Sequence, residues 1–342
     1  MDPLAHLGVR IGELPPGPRD AITDVPGVAV GHRTVDGRTP DGAAVRTGVT
    51  ALLPHGGNLF QDKVVAAAVV LNGFGKSTGL VQVDELGTLE TPLVLTNTFA
   101  VGAAATALVR WTLRSNPAVG RTTSTVNPVV FECNDGRRND LHAFAVTEAH
   151  VFEALEAAGP DFAQGAVGAG RGMTSFGRNG GIGSASRIVD VGGRTWTVGA
   201  LVLSNFGRAD DLRIDGRPAR DVLRRERDGA PPGAPAGDQP DRGSVIVVLA
   251  TDLPLDHRQL RRLAKRAGVG LARVGGFWGH GSGDIACAFT TAYTVPHDSD
   301  AAVLTRPVLH EPLLDPAFRA AAFATEAAVL RAVLCGPPPV SP

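Results

Sequence analysis

The stretch Gly243-Ser244-Val245-Ile246-Val247-Val248-Leu249-Ala250 decides how this chain folds. Six consecutive apolar residues rich in β-branched types form a strand with no face fit for water, so both of its faces must be covered. The serine at its head follows a glycine and a loop of Pro, Gly, Asp and Arg. Glycine tolerates backbone conformations that other residues resist. Such freedom would let the Ser244 hydroxyl approach the Gly243 carbonyl, shift the acyl group from nitrogen to oxygen, and leave an ester for water to cut. Cleavage would free an α-amine beside the hydroxyl, with a reference pKa of about 7.7 to 8.0, close to working pH and suited to general-base duty. One residue would then supply both nucleophile and base. The same two residues also fit an ordinary loop-to-strand junction, and the rest of the chain has to decide between the two.

Outward from this strand, further apolar runs predict strands at Val45-Leu53, Val64-Leu71, Leu93-Leu95, Ile188-Val191, Trp196-Ser204 and Ile285-Tyr293. Helical periodicity predicts helices over Ala100-Arg114, His142-Ala158, Asp256-Ala267 and Pro316-Leu334, the second opened by Asn139 or Asp140 and the third by Asp252 or Asp256. The run from Trp196 is as apolar as that from Val245. Sheets buried on both faces between helices make a layered α/β sandwich. The segment Arg208-Arg242, with Arg-Arg-Glu-Arg-Asp at 224–228 and repeated Pro and Gly, reads as an internal linker that cannot build a core. The strands on either side of it look central to one sheet system, so it is not taken as a domain boundary. Glycine clusters at Gly165-Gly172 and Gly177-Gly183 lack a Gly-Lys-Ser/Thr ending and follow no clear strand. Tight turns and close backbone packing explain them better than nucleotide binding.

The composition fits this picture: 342 residues, 43% hydrophobic and 20% charged, describe a globular chain with room for one large core or two modest ones. With 33 basic against 34 acidic residues there is no basic field for nucleic acid. Cys133, Cys287 and Cys335 form no disulfide framework, which fits a reducing compartment, and no His/Cys/carboxylate set has metal-ligand spacing. From Met1 to Pro18 no continuous apolar run suggests a signal peptide or membrane helix. The expectation is a cytoplasmic protein with no cofactor, no metal, no nucleic-acid partner and no membrane partner.

Several short blocks stand around the Gly-Ser junction in a fixed order. Arg10-Ile11-Gly12, Ala21-Ile22-Thr23-Asp24-Val25-Pro26-Gly27-Val28 and Val30-Gly31-His32 come first. Asn72-Gly73-Phe74-Gly75-Lys76, Glu85-Leu86-Gly87-Thr88-Leu89-Glu90-Thr91-Pro92 and Leu95-Thr96-Asn97-Thr98 follow. Then come Glu132-Cys133-Asn134-Asp135-Gly136, Gly168-Ala169-Gly170-Arg171-Gly172-Met173, Gly181-Ile182-Gly183, Ser204-Asn205-Phe206-Gly207 and Gly281-Ser282-Gly283-Asp284. In type and spacing, from about residue 8 to the last helix, the chain resembles the DmpA-type aminopeptidases, the L-aminopeptidase/D-esterase family that includes the β-peptidyl aminopeptidases.

That resemblance implies an α/β fold, a four-layer αββα sandwich like that of N-terminal-nucleophile hydrolases. It implies one domain over 1–342, cut at Gly243/Ser244 into an α chain of residues 1–243 and a β chain of residues 244–342. The processed αβ protomers would assemble as a homotetramer and hydrolyse N-terminal residues from small peptides, amides and esters that carry a free amine. Ser244 would be the nucleophile, Ser282 and Asp284 the pair that holds and activates it, Asn205 the side-chain donor to the oxyanion, and Glu132 the carboxylate that receives the substrate's amine. Familiar members carry glutamate where this chain has Asp284, so a shorter carboxylate acts from closer in or through water. Some carry an oxyanion-binding tyrosine where this chain has Asn134. Here Asn134 could donate instead, or Asn205 and backbone amides could suffice.

The residue types suit the chemistry on their own terms. A tetrahedral intermediate needs a neutral donor such as an asparagine amide, whose loss typically costs about 10² to 10³ in rate. A base needs a group to orient it, here a hydroxyl and a carboxylate two residues apart on an extended segment. Taken singly, Asn205 fits a turn, Glu132 a surface acid, and Ser282 with Asp284 a cap. The cysteines read as structural, and His280 is expected to shape the site. Two other functions compete. An endo-acting amidase on ω-amino-acid oligomers is disfavoured by a serine nucleophile and by Glu132, and a processed but silent binding subunit by the intact Ser244, Asn205, Ser282 and Asp284.

Overall fold

The structure, a computed structural model, describes residues 2–223 and 243–335. In chain order the elements are α1 (Pro3–His6), β1 (Ala29–Arg38), β2 (Ala44–Leu53), β3 (Asp62–Gly73), α2 (Leu80–Leu86), β4 (Thr88–Leu89), β5 (Leu93–Asn97), α3 (Val101–Ser115), β6 (Val129–Cys133) and α4 (Glu148–Glu156). They continue with β7 (Thr174–Ser175), β8 (Arg178–Asn179), β9 (Gly181–Val191), β10 (Arg194–Asn205), β11 (Arg213–Ile214), β12 (Arg217–Pro218) and α5 (Ala219–Val222). The chain finishes with β13 (Ser244–Thr251), α6 (His257–Ala264), α7 (Ala267–Arg273), β14 (Gly283–Pro296) and α8 (Asp315–Leu334).

Every residue of β13 is buried, as its apolar run requires. It lies inside a six-stranded sheet of order β4-β3-β14-β13-β10-β9, antiparallel to β10 and parallel to β14. A second sheet, β1-β2-β5-β6, stacks on it. Alternation sorts the side chains of β13 into two cores: Ile246, Val248 and Ala250 face the other sheet with Phe131, Leu201 and Leu203, while Val245, Val247 and Leu249 face a helical layer with Leu260, Leu271 and Val329. Against the outer face of the four-stranded sheet, Ala104, Leu108, Val151 and Leu155 of α3 and α4 bury Val49, Ala51 and Val94. Helix, sheet, sheet, helix is the four-layer αββα sandwich that the resemblance implies, and it contains the covered sheets that the apolar runs predict.

Helix α8 sits directly on β9. A Cβ on Gly183 would lie 1.9 Å from the Ala328 carbonyl oxygen, so only glycine lets the helix approach so closely. The cluster at Gly177-Gly183 therefore belongs partly to a strand, which begins at Gly181 and not at Ile188. Three other expectations need correction. The helix predicted from His142 begins at Glu148, because Phe144 takes a left-handed conformation (φ 45°) that closes a short turn over Leu141–Ala143, with Asp140 accepting from the His142 amide. The helix predicted over Asp256–Ala267 is two, α6 capped by Asp256 and then α7. The first part of the supposed linker is folded: Leu212, Ile214, Ala219 and Leu223 join the helix-side core through β11, β12 and α5. Its second part, residues 224–242, lies outside the described residues.

Candidate active site

The site is assembled at one end of the two sheets, where β13 begins, β10 ends and β14 begins. Ser244 pairs with Asn205 across the antiparallel ladder and with Gly283 across the parallel one. Alternation puts the Ser244 and Asn205 side chains on the inter-sheet face, with Ile246 and Leu203. Ser244 is only 5% exposed, and its Oγ accepts a hydrogen bond from the Gly283 amide at 3.2 Å. Gly243, just before it, leaves no room for a side chain: a Cβ there would lie 2.3 Å from the Asn205 carbonyl oxygen and 2.4 Å from Phe206 Cα.

Ser282 and Asp284 flank the amide that touches Ser244. Both are fully buried, and the Ser282 hydroxyl donates to Asp284 Oδ1 at 2.7 Å. Their spacing therefore makes a pair, and that pair reaches Ser244 through the intervening Gly283.

Asn205 is held by partners that fix the orientation of its amide. Its Oδ1 accepts from the Thr174 amide at 2.9 Å and its Nδ2 donates to the Asn134 carbonyl at 2.9 Å. A backbone N–H can only donate and a carbonyl only accept, so the nitrogen cannot be flipped away. Asn134 takes part through this carbonyl. Its exposed side chain turns back on the Gly136 amide at 2.9 Å, as in an Asx-turn.

Glu132, at the end of β6, is 3% exposed and so is no surface acid. Oε1 accepts from the Lys76 amide at 2.7 Å, and Oε2 accepts from the Thr98 hydroxyl. Asn97 positions that hydroxyl by capping the turn into α3, its Oδ1 accepting from the Phe99 and Ala100 amides. Gly75 lies between Glu132 and Gly283, the residue whose amide holds Ser244 Oγ: a Cβ on Gly75 would stand 3.5 Å from Glu132 Oε1 and 3.6 Å from Gly283 Cα. All six predicted side chains, Ser244, Ser282, Asp284, Asn205, Glu132 and Asn134, thus fall at this end of the sheets. The Gly283 amide, the Lys76 amide, the Thr98 hydroxyl and the Asn134 carbonyl were not anticipated. Blocks containing them stand out in the sequence, but backbone groups carry no residue-type signature.

Three neighbours complete the electrostatics. Burial, reinforced by the charges of Glu132, Asp284 and Asp135, holds the Cys133 thiol well above its ordinary range, so it is no thiolate nucleophile. Burial alone pushes Cys287 up to about 12. His280 is exposed with its ring centroid 6.3 Å from that of Phe74, and the turn it belongs to is bonded through its carbonyl. Among the described residues no group of three or more His, Cys, Asp or Glu could hold a metal ion.

Asp135 is a buried carboxyl that the sequence did not single out. Oδ1 accepts from Asn139 Nδ2 at 3.0 Å, and Oδ2 has no hydrogen-bond partner among the described residues. Burial pushes its pKa up to about 6, against the pull of Thr47 and Asn139 and with the Glu132 charge adding to the rise. A carboxyl raised in the folded state favours folding most below its unfolded value, and that contribution is lost as pH rises towards 6. Asp135→Asn should therefore be more stable than wild type at pH 8, by on the order of 2 to 3 kcal/mol, with the difference closing towards pH 4. Thermal melts across that range check this; a variant destabilised equally at pH 8 and pH 4 would refute it.

Two sheets are stacked between helical layers, and a buried serine opens a central strand of one of them. The profile of peptidase family S58 matches residues 20–338, and the chain belongs to that family. Among solved structures, the PH0078 protein from Pyrococcus horikoshii OT3 is 48% identical with a TM-score of 0.88, over 96% of this chain and 90% of that one. The L-aminopeptidase D-Ala-esterase/amidase from Ochrobactrum anthropi, described as a new variant among the Ntn hydrolase fold, is 39% identical with a TM-score of 0.87, over 97% and 90%. The β-peptidyl aminopeptidase BapA of Sphingosinicella microcystinivorans is 40% identical over 326 residues, 92% of this chain and 81% of its own length. The chain is a hydrolase of the aminopeptidase class. No helix among the described residues is long and apolar enough to cross a membrane.

Proposed function

We propose that this chain cleaves itself between Gly243 and Ser244 and then removes N-terminal residues from small peptides, amides and esters through an acyl-enzyme on Ser244. The observation that carries this is the Gly283 amide on Ser244 Oγ, with Asn205 paired to Ser244 and with Gly75 between Gly283 and Glu132. In the first step Oγ adds to the Gly243 carbonyl, the amide nitrogen leaves with a proton, and water cuts the ester. In turnover the freed α-amine of Ser244 takes the Oγ proton as the oxygen attacks the substrate carbonyl, and returns it to the leaving amine. Water then releases the acyl group by the same route. Asn205 Nδ2 donates to the oxyanion, its angle held by Thr174 and Asn134. Ser282 and Asp284 hold the new ammonium beside the strand start. Glu132 receives the substrate's amine, a cation that a buried carboxylate is best satisfied by.

Two finer points belong to the same proposal. A homotetramer of processed αβ protomers is supported by the exposed apolar side chains of Val303, Leu304 and Val308. A cytoplasmic location is supported by three free cysteines.

The deciding assay is a panel of L-alanyl, D-alanyl and β-alanyl p-nitroanilides in the presence of EDTA. Release of p-nitroaniline from at least one free-amine member is expected, and hydrolysis of none of them would remove the proposal. Gly243→Ala should arrest chain cleavage, because its Cβ meets backbone atoms that cannot yield. Electrophoresis of the fresh variant reads the result, and wild-type cleavage would show that the close approach is unimportant.

A further inference from the structure

The loop Asn72–Lys76 touches both halves of the site. At its far end the Lys76 amide holds Glu132. At its near end the Asn72 side chain faces the turn before β14: Nδ2 donates to the Ser282 carbonyl, to the Gly279 carbonyl at 3.1 Å and to the His280 carbonyl at 3.4 Å. The Phe74 amide adds a second bond to the Ser282 carbonyl at 3.2 Å. Within the turn itself, Ser282 N bonds to the Gly279 carbonyl at 2.9 Å. The turn starts at Trp278, a left-handed residue at φ 53°, and His280 within it is exposed. A register break in the β3–β14 ladder sets Asn72 in place. Asp284 pairs with Asn72 but Ile285 pairs with Val70, which leaves Leu71 as an extra residue on β3. A bulge of this kind re-aims the side chains that follow it and is common beside active sites.

We propose that Asn72 is a positioning residue: by clamping the 279–282 turn it sets the direction of the Gly283 amide towards Ser244 and of the Ser282 hydroxyl towards Asp284. The proposal rests on Ser244 as nucleophile. Because the amine-binding carboxylate is held by Lys76 and Thr98 instead, loss of the clamp should act on kcat and on self-cleavage while leaving KM nearly unchanged.

The test uses Asn72→Ala and Asn72→Asp in the full chain, assayed on the best free-amine p-nitroanilide, with melting temperature as a control. Losing donors that only orient the reacting groups should lower kcat by about 10- to 100-fold, with KM within about twofold of wild type. Asn72→Asp is nearly isosteric, so it carries the test even if the alanine variant fails to fold. Its ionised carboxylate repels the carbonyls it faces, whereas its protonated form donates one O–H to them. The ratio of Asn72→Asp to wild-type kcat should therefore rise as pH falls from about 8 to 5, which a merely structural role would not produce. Wild-type kcat in both variants, a loss confined to KM, or a ratio independent of pH overturns the clamp. Ser244→Ala assayed alongside keeps the two claims apart: activity surviving there removes the nucleophile, while activity lost there and unchanged in both Asn72 variants removes only the clamp.

Discussion

Ser244→Ala should leave one uncleaved chain with activity below about 10⁻⁴ of wild type, the scale on which loss of a covalent nucleophile is felt. The Oγ is the atom that the Gly283 amide holds, and the neighbouring Cys133 thiol is kept protonated by burial and three neighbouring carboxylates. Aminopeptidase assays and gel analysis of the variant read both effects together. Residual activity within tenfold of wild type would move the nucleophile elsewhere. In the wild type, the rate should rise between about pH 6 and 8 as the α-amine of Ser244 loses its proton.

Glu132→Gln should lower kcat/KM by roughly 10- to 150-fold on free-amine substrates, the value of one charge-assisted hydrogen bond. Glutamine keeps the shape of the side chain and can still accept from one of the two donors, the Lys76 amide and the Thr98 hydroxyl, so the loss reports on charge and not on packing. Self-cleavage involves no external amine and should proceed as in wild type. N-acetylating the substrate should cost the wild type as much or more and cost the variant little further, a non-additivity expected of two partners in one contact. Equal hydrolysis of acetylated and free substrates by the wild type would point to an amidase indifferent to the amine.

The sandwich was legible because its central strands are apolar on both faces. The run from Val245 to Ala250 and the buried part of β10 admit no other placement than between two covered surfaces. Legibility failed where tertiary contacts override local pattern. Nothing in Lys265-Arg266 ends a helix, and the division between α6 and α7 goes with close packing elsewhere: a Cβ on Gly270 would lie 2.5 Å from the Ala322 carbonyl of α8. Leu212, Ile214 and Leu223 read as linker because they are sparse among charges, yet they reach the core between α-helices and sheet. The site shows the same division. Ser244, Ser282 with Asp284, Asn205 and Glu132 could be singled out by type and spacing. The Gly283 and Lys76 amides, which contact two of them, could not, since every residue but proline carries that donor. At Gly243 the sequence shows a residue of wide conformational freedom, and the structure adds that a Cβ there would meet the backbone of Asn205 and Phe206.

Intact mass and N-terminal sequencing of freshly purified protein test the central claim most directly. Two chains are predicted, residues 1–243 and 244–342, the second beginning Ser-Val-Ile-Val. A single chain of 342 residues that is nevertheless fully active on free-amine substrates would contradict it.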